Sequence, residues 1–318
     1  MGVSKPQTAV PIRRLRFEWD GVEADGWHHE LPEFGAAANA LSLLFPHGEA
    51  FVISAVRAGL AEIDDPGSEL VEAVDSWVGQ EGAHFKAHRD FNAALTSQSR
   101  MARFLDRVGA AMFRAMNGRS AGFRVAYAAG FEMIAFCSAR WAEAGMHKYF
   151  GGADPKAASL FLWHLAEEVE HKGIPHDVVN RHPKASRKYP LALIWAFITL
   201  IGFTVVGGLA MFMRRPYALN PLRWIRLIGW GFSYAFTVMP IAFTSLGSSF
   251  HPEQLVDPPW MRQWLSEYDP ETETLPFWTD AGTGDGAMTR AIASLVANES
   301  DPEDDPREVP PVREPSIQ

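Results

Sequence analysis

Two stretches of this chain place a carboxylate and an imidazole three residues apart: Glu81-Gly82-Ala83-His84 and Glu168-Val169-Glu170-His171. On a helix that spacing puts both side chains on one face about one turn apart, so each pair could grip one side of a metal ion. One pair alone means little, since on the order of one match arises by chance in a chain of this composition. A lone glutamate ahead of each pair adds weight: Glu49 precedes Glu81, and Glu132 precedes Glu168, at similar separations. Both lie in apolar runs, FPHGEAFVI and GFEMIAF, where a helix would carry the carboxylate into the core. An unpaired charge there costs several kcal/mol and is tolerated when a cation matches it.

Four glutamates and two histidines suit two divalent ions. Carboxylates neutralise the mutual repulsion of the ions, and imidazoles complete their coordination. The expected pair is two Fe ions, with Mn or a mixed Mn/Fe pair as the alternative. Glu81 and Glu168 are expected to bridge and to be the catalytic carboxylates, with Glu49 and His84 on one metal and Glu132 and His171 on the other. His88, His164, His176 and His47, in that order, are candidates for extra ligands or for supporting histidines. Asp90, Asp177 and Asn92 are candidates for orienting the imidazoles. Tyr127 reads as a packed core residue and Cys137 as a small buried hydrophobe.

The elements that must position these residues read as helices. Apolar residues recur at mixed three and four spacing from Ala36 to about Asn180, and alternation of the strand type is nowhere sustained, so the class is all-α. Pro46 and Gly48 suggest a helix start or an irregular turn near Phe45. Further helices are expected from Ser68 to Leu95, from Met101 to Met116, from Ser120 to Gly151, and from Asp154 through Val179. The order Glu, Glu-x-x-His, Glu, Glu-x-x-His resembles the ligand set of ferritin-like di-iron and di-manganese bundles. The expected architecture is therefore a ferritin-like four-helix bundle over residues 33–182, preceded by an N-terminal segment (1–32). An apolar helical hairpin (183–250), a C-terminal segment (251–298) and a disordered acidic, Pro-rich tail (299–318) follow it.

The hairpin rests on two uncharged runs, Leu191 to Met213 and Leu227 to Phe250. Each would form a helix of about 35 Å, enough to cross a bilayer. The cations are balanced, with Lys184, Arg187 and Lys188 at one end and Arg214, Arg215, Arg223 and Arg226 in the connection, so the positive-inside rule sets no orientation. A leaflet-dipping hairpin, or helices buried against the bundle or in a homodimer, are the alternatives. Location at the cytoplasmic face of the inner membrane, integral or peripheral, is expected, with a cytoplasmic protein as the alternative. A net charge of −9 gives no basic surface for nucleic acid, and the single cysteine excludes an internal disulfide framework. No secretory leader is expected, because the residues after Arg16 are polar and acidic.

FPHGEAF, QEGAHFKAH followed by FN, GFEMIAF and HLAEEVEHKGIPHDV together resemble the bacterial family described as "predicted metal-dependent hydrolase", over roughly Arg13 to Leu255. The resemblance places Glu49, Glu81, His84, Glu132, Glu168 and His171 at the family's acid and histidine positions, with His88, His164 and His176 as its extra histidines. From the residues themselves the expectation is oxidation. Phe45, Phe51, Phe85, Phe131, Phe136, Phe161 and Trp163 would give the site apolar walls suited to an O₂-dependent oxygenase, oxidase or desaturase acting on a hydrophobic small-molecule or lipid substrate, with an electron-donor protein as partner. A metal-dependent hydrolase and a non-enzymatic iron-binding protein are the alternatives.

Overall fold

The computed structural model describes residues 9–247 and 249–279. The first helix, α1, runs unbroken from Pro32 to Leu60 with Pro46 inside it, where the sequence suggested a start or a turn. Proline has no N–H to give the carbonyl one turn back, which ordinarily kinks or breaks a helix. That carbonyl belongs to Ser42, and Asn92 supplies the missing donor through its Nδ2, 2.7 Å away. The helix therefore continues and carries Glu49 onward.

The other bundle helices are α2 (Ser68–Gln98), α3 (Arg100–Met116), α4 (Ala121–Ala144) and, after the short α5 (Met146–Phe150), α6 (Pro155–His171). Ser99 accepts from Ala102 N at the start of α3. Asp154 accepts from the N–H groups of Lys156 and Ala157 at the start of α6, ahead of Pro155, the start signal expected there. The fifth expected helix divides in two: α6 ends at His171, and α7 (Ile174–Arg181) begins beyond Gly173 with Pro175 in its first turn. Helices α1, α2, α4 and α6 pack around a common core, and α3 connects the two halves across the outside of α1 and α2. Among the described residues there is no strand, only isolated bridges, and the protein is all-α.

The apolar runs form a helical pair laid along the bundle. The first comprises α8 (Tyr189–Phe197), a π-helical turn (Ile198–Gly202) and α9 (Phe203–Phe212), which follow one another without a break. The second, α10 (Pro221–Thr244), starts ahead of its uncharged run, because Asn220 caps it and Pro221 opens it, so Arg223 and Arg226 lie within the helix. Gly207 and Gly208 let α9 close on α1: a Cβ at Gly208 would lie 2.8 Å from Ala37 Cα. Gly130 similarly admits α8, whose Leu193 Cα would be 3.0 Å from an added Cβ. Phe197 stacks on Phe243 at one end of the pair and Phe212 meets Trp224 at the other.

The N-terminal segment folds back over the bundle. Trp27 Nε1 donates to Asn39 Oδ1, and Arg13 is buried. By length and composition α1, the α8–α9 helix and α10 are each apolar enough to cross a membrane, but α1 is mostly enclosed by its neighbours. The acidic tail read as disordered lies outside the described residues.

Replacing Asn92 by Leu should leave the Ser42 carbonyl without a donor and lower stability by about 1–3 kcal/mol, measured by urea unfolding.

Candidate metal centre

Helices α1, α2, α4 and α6 bring Glu49, Glu81, His84, Glu132, Glu168 and His171 to one buried point, each at most 1% exposed. Glu168 Oε1 sits in the middle. It lies 3.0 Å from His164 Nε2, 3.4 Å from His171 Nδ1 and 3.6 Å from His84 Nδ1. His171 Nδ1 is also 2.8 Å from Glu81 Oε1 and 3.5 Å from Glu132 Oε2. Two groups of donor atoms, each within 4.8 Å of one another, could hold an ion: Glu81, His84, Glu168 and His171, and Glu49, His84 and His164.

Close as these atoms are, they are not hydrogen-bonded. Both carboxylate oxygens of Glu49, Glu81, Glu132 and Glu168, with His84 Nδ1 and His171 Nδ1, are buried and have no hydrogen-bond partner within the protein. The outward side of each ring explains this. His84 Nε2 lies 2.9 Å from Glu167 Oε2; in the ionised form that its ion pair with Arg13 favours, Glu167 can only accept, so that nitrogen then carries the proton and Nδ1 is bare. Gln80 gives its Nε2 to Pro11 O and Glu170, so its Oε1 accepts from His171 Nε2 at 2.7 Å, leaving His171 Nδ1 bare as well. The third ring is set by a longer chain. Asn92 spends its Nδ2 on the Ser42 carbonyl, so its Oδ1 takes the Ser42 hydroxyl proton. Ser42 Oγ then accepts from His88 Nδ1, and His88 Nε2 accepts from His164 Nδ1, each at 2.8 Å. His164 Nε2 is thereby left bare toward the centre.

Three lone-pair nitrogens thus face four carboxylates, an arrangement of acceptors against acceptors that needs positive charge between them. The same demand for positive charge shows in the acidities of these groups. Burial and the neighbouring Glu81 and Glu168 carboxylates push Glu49 well above the usual carboxylate range. Burial and Glu168 push Glu81 up and Glu132 well up. Burial alone would lower His171, but the carboxylates of Glu168, Glu132 and Glu81 outweigh it and raise the imidazole well above its ordinary value. Burial would raise Glu168, yet His171 and His164 hold it well below. Burial and His164 lower both His84 and His88, in keeping with neutral rings. The donor set of buried carboxylates and imidazoles fits divalent cations such as manganese or iron.

The structure sorts the extra histidines. His164 stands at the centre, whereas His88 stands behind it and orients it. His47 instead pairs with Asp106 at 2.9 Å and is partly exposed. His176 packs its ring against Tyr189, Phe250 and His251. Of the expected orienting residues, Asn92 acts through Ser42 and His88, while Asp177 accepts from His251. The aromatic walls are only partly as expected. Phe45 and Phe161 meet the histidine rings and Trp163 meets His84 edge-on, but Phe85 is half-buried under the Arg89 guanidinium, away from the site. Phe51 and Phe131 pack on Tyr127, and Phe136 lies under the Lys172 ammonium.

Sequence reasoning missed Gln80, Glu167 and Arg13. Glu167 is fully buried, and Arg13 reaches it at 3.0 Å and Glu170 at 2.9 Å. Burial pushes the Glu167 carboxyl up to about 8 against the pull of Arg13. Gln80 and Glu167 sit beside ligand-type glutamates on predicted buried helices, a signal that was there to be read. Arg13 carries none, since its partner lies 154 residues away.

Fold and site together define an all-α protein with a buried glutamate–histidine metal-binding cluster. Residues 11–255 match the family described as "predicted metal-dependent hydrolase", and the chain belongs to that family. No curated protein and no solved structure matches it. This membership corrects the expectation of an oxidoreductase. The family description is hydrolytic, and the aromatic residues behind the oxidation reading are in part ordinary helical core, which has the same spacing as a substrate wall.

Arg13→Met should strand Glu167 and destabilise the fold by about 3–5 kcal/mol, with Arg13→Met/Glu167→Gln recovering much of the loss by thermal denaturation. His176 is held down to about 4, first by burial and then by the nearby His251. Between pH 6.5 and 4 the unfolded chain therefore binds a proton that the folded chain does not, and stability falls with pH. His176→Phe should remove up to about 3 kcal/mol of that acid-induced loss, seen by comparing unfolding curves at pH 7 and pH 4.

Proposed function

We propose that this chain is a dinuclear metal-dependent hydrolase that cleaves an ester or amide bond in an apolar, acyl-type substrate. One observation carries the reading: the bare nitrogens of His84, His164 and His171 face four buried carboxylates whose oxygens have no partner within the protein. Glu49, Glu81, His84, Glu132, His164, Glu168 and His171 would hold the ions, each imidazole through its one bare nitrogen. His164 thus joins the six ligands read from the sequence. Manganese or ferrous iron suits this mixture of oxygen and nitrogen donors. Bound there, the ions supply a nucleophilic water of lowered pKa and polarise the scissile carbonyl.

The chain's own residues do the rest. Glu167 and Gln80 hold the rings of His84 and His171 by their outer N–H groups, and Arg13 fixes Glu167 in turn. The chain Asn92–Ser42–His88 keeps His164 in the tautomer that turns Nε2 inward. Phe45, Phe161 and Trp163 exclude water around the histidines and favour an apolar acyl group over a polar one.

Purified protein loaded anaerobically with manganese, ferrous iron or zinc should hold about two ions per chain and cleave ester or amide probes bearing apolar acyl chains without O₂. Glu81→Ala and His171→Ala should lose bound metal and turnover together. Hydrolysis indifferent to complete metal removal would overturn the proposal, as would turnover that demands O₂ and reductant. Gln80→Leu should leave the ligands in place and weaken metal binding by about 10–100-fold in a competition titration.

A further inference from the structure

The outward side of the hairpin is a single apolar face. On α8–α9, Leu191, Ile198 and Val206 point to solvent; on α10, Ile228, Phe232 and Phe236 do, with Val206 66% and Phe236 74% exposed. Two helices of about 36 Å that meet through Phe197–Phe243 at one end and Phe212–Trp224 at the other together expose more apolar surface than the few hundred Å² usual for a soluble monomer. Its charge is just as unusual. From Val178 to Pro252 there is no Asp or Glu, while eight Lys and Arg fall in the same stretch; the rest of the chain has 21 Lys and Arg against 38 Asp and Glu. Arg215 pairs with Asp25 and Arg223 with Glu33, while Arg181, Lys188 and Arg226 donate to Pro66 O, Ser120 Oγ and Glu30 O. Lys184 and Arg187 at one end of the face, and Arg214 and Arg226 at the other, are exposed.

We propose that this face docks in the plane of an anionic lipid bilayer, with the bundle standing on the membrane surface. The apolar side chains enter the acyl boundary while the basic rim meets lipid phosphates, the combination that drives interfacial binding. Spanning is disfavoured by the packing. The hairpin lies along α1 and α4, so carrying it through a bilayer would draw in the charged surface of the bundle, namely Arg103 and Arg107 of α3, which packs beside α9, and Glu72 and Asp75 of α2, all exposed. A second copy is disfavoured by charge, because two such faces laid together set basic ends against basic ends. The face would bind lipid whatever reaction the centre carries out, and α8 abuts α4 at Gly130, two residues before Glu132.

The test is flotation of the purified full chain with vesicles of phosphatidylglycerol and phosphatidylcholine against vesicles of phosphatidylcholine alone. Binding at least tenfold stronger to the anionic vesicles, and weakened by salt, is expected. Phe232→Asp/Phe236→Asp should abolish it with helical circular dichroism and metal content unchanged, and Arg187→Glu/Arg214→Glu should weaken it by tenfold or more. Cysteines placed at Ser186 and Arg214, on either end of the face, should both react with a membrane-impermeant maleimide added outside the vesicles, Cys137 being buried. Protection of Arg214→Cys alone would mean spanning and overturn the proposal. Equal binding to both vesicle types would overturn it too, as would a stable dimer that ignores vesicles and that Phe232→Asp/Phe236→Asp dissociates.

Discussion

Acceptors facing acceptors in a dry core are the constraint on which this structure turns. Four carboxylates and three imidazole nitrogens converge where no protein donor reaches them, and such a knot is stable only with positive charge at its centre. Burial and the neighbouring carboxylates raise the pKa values of Glu49, Glu81 and Glu132, and Glu168, Glu132 and Glu81 raise that of His171, the direction expected where positive charge is wanted. Much of the surrounding architecture can be understood as holding these groups against their own repulsion.

The holding is done in layers. Each ring is fixed from behind, and each fixing group is itself fixed: Glu167 by Arg13, Gln80 by Pro11 and Glu170, His88 by Ser42 and Asn92. Asn92 serves twice, since the amide that sets its orientation also satisfies the carbonyl left open by Pro46. The residue that lets α1 continue through a proline toward Glu49 is thus the one that decides which nitrogen of His164 faces the centre. The N-terminal segment contributes in the same way, because Arg13 and Pro11 hold Glu167 and Gln80, which fix the outer sides of His84 and His171.

The hairpin adds a second environment to the molecule. Small residues let it lie close on α1 and α4, so its apolar character is divided between an inner face that completes the bundle and an outer face that stays open. The basic rim and the acidic remainder of the chain give the protein a strong charge asymmetry about that open face.

The sequence by itself determined the all-α class, the order of the bundle helices and the six residues at the buried centre. Those are matters of period and spacing: Glu-x-x-His shows a shared helix face, and a glutamate in an apolar run shows burial. Tertiary structure decided the rest. It placed His164 inside and His88 behind it, reversing the order expected from the sequence, since both lie one turn from a residue of the centre on the right face. It turned Phe85 outward and split the last bundle helix after His171. It brought Arg13 to Glu167 across 154 residues, and Asn92 to Ser42 across 50. Helical periodicity fixes which side of a helix a residue occupies, but the partner that meets it, and so the nitrogen it leaves bare, is fixed only when distant segments pack together.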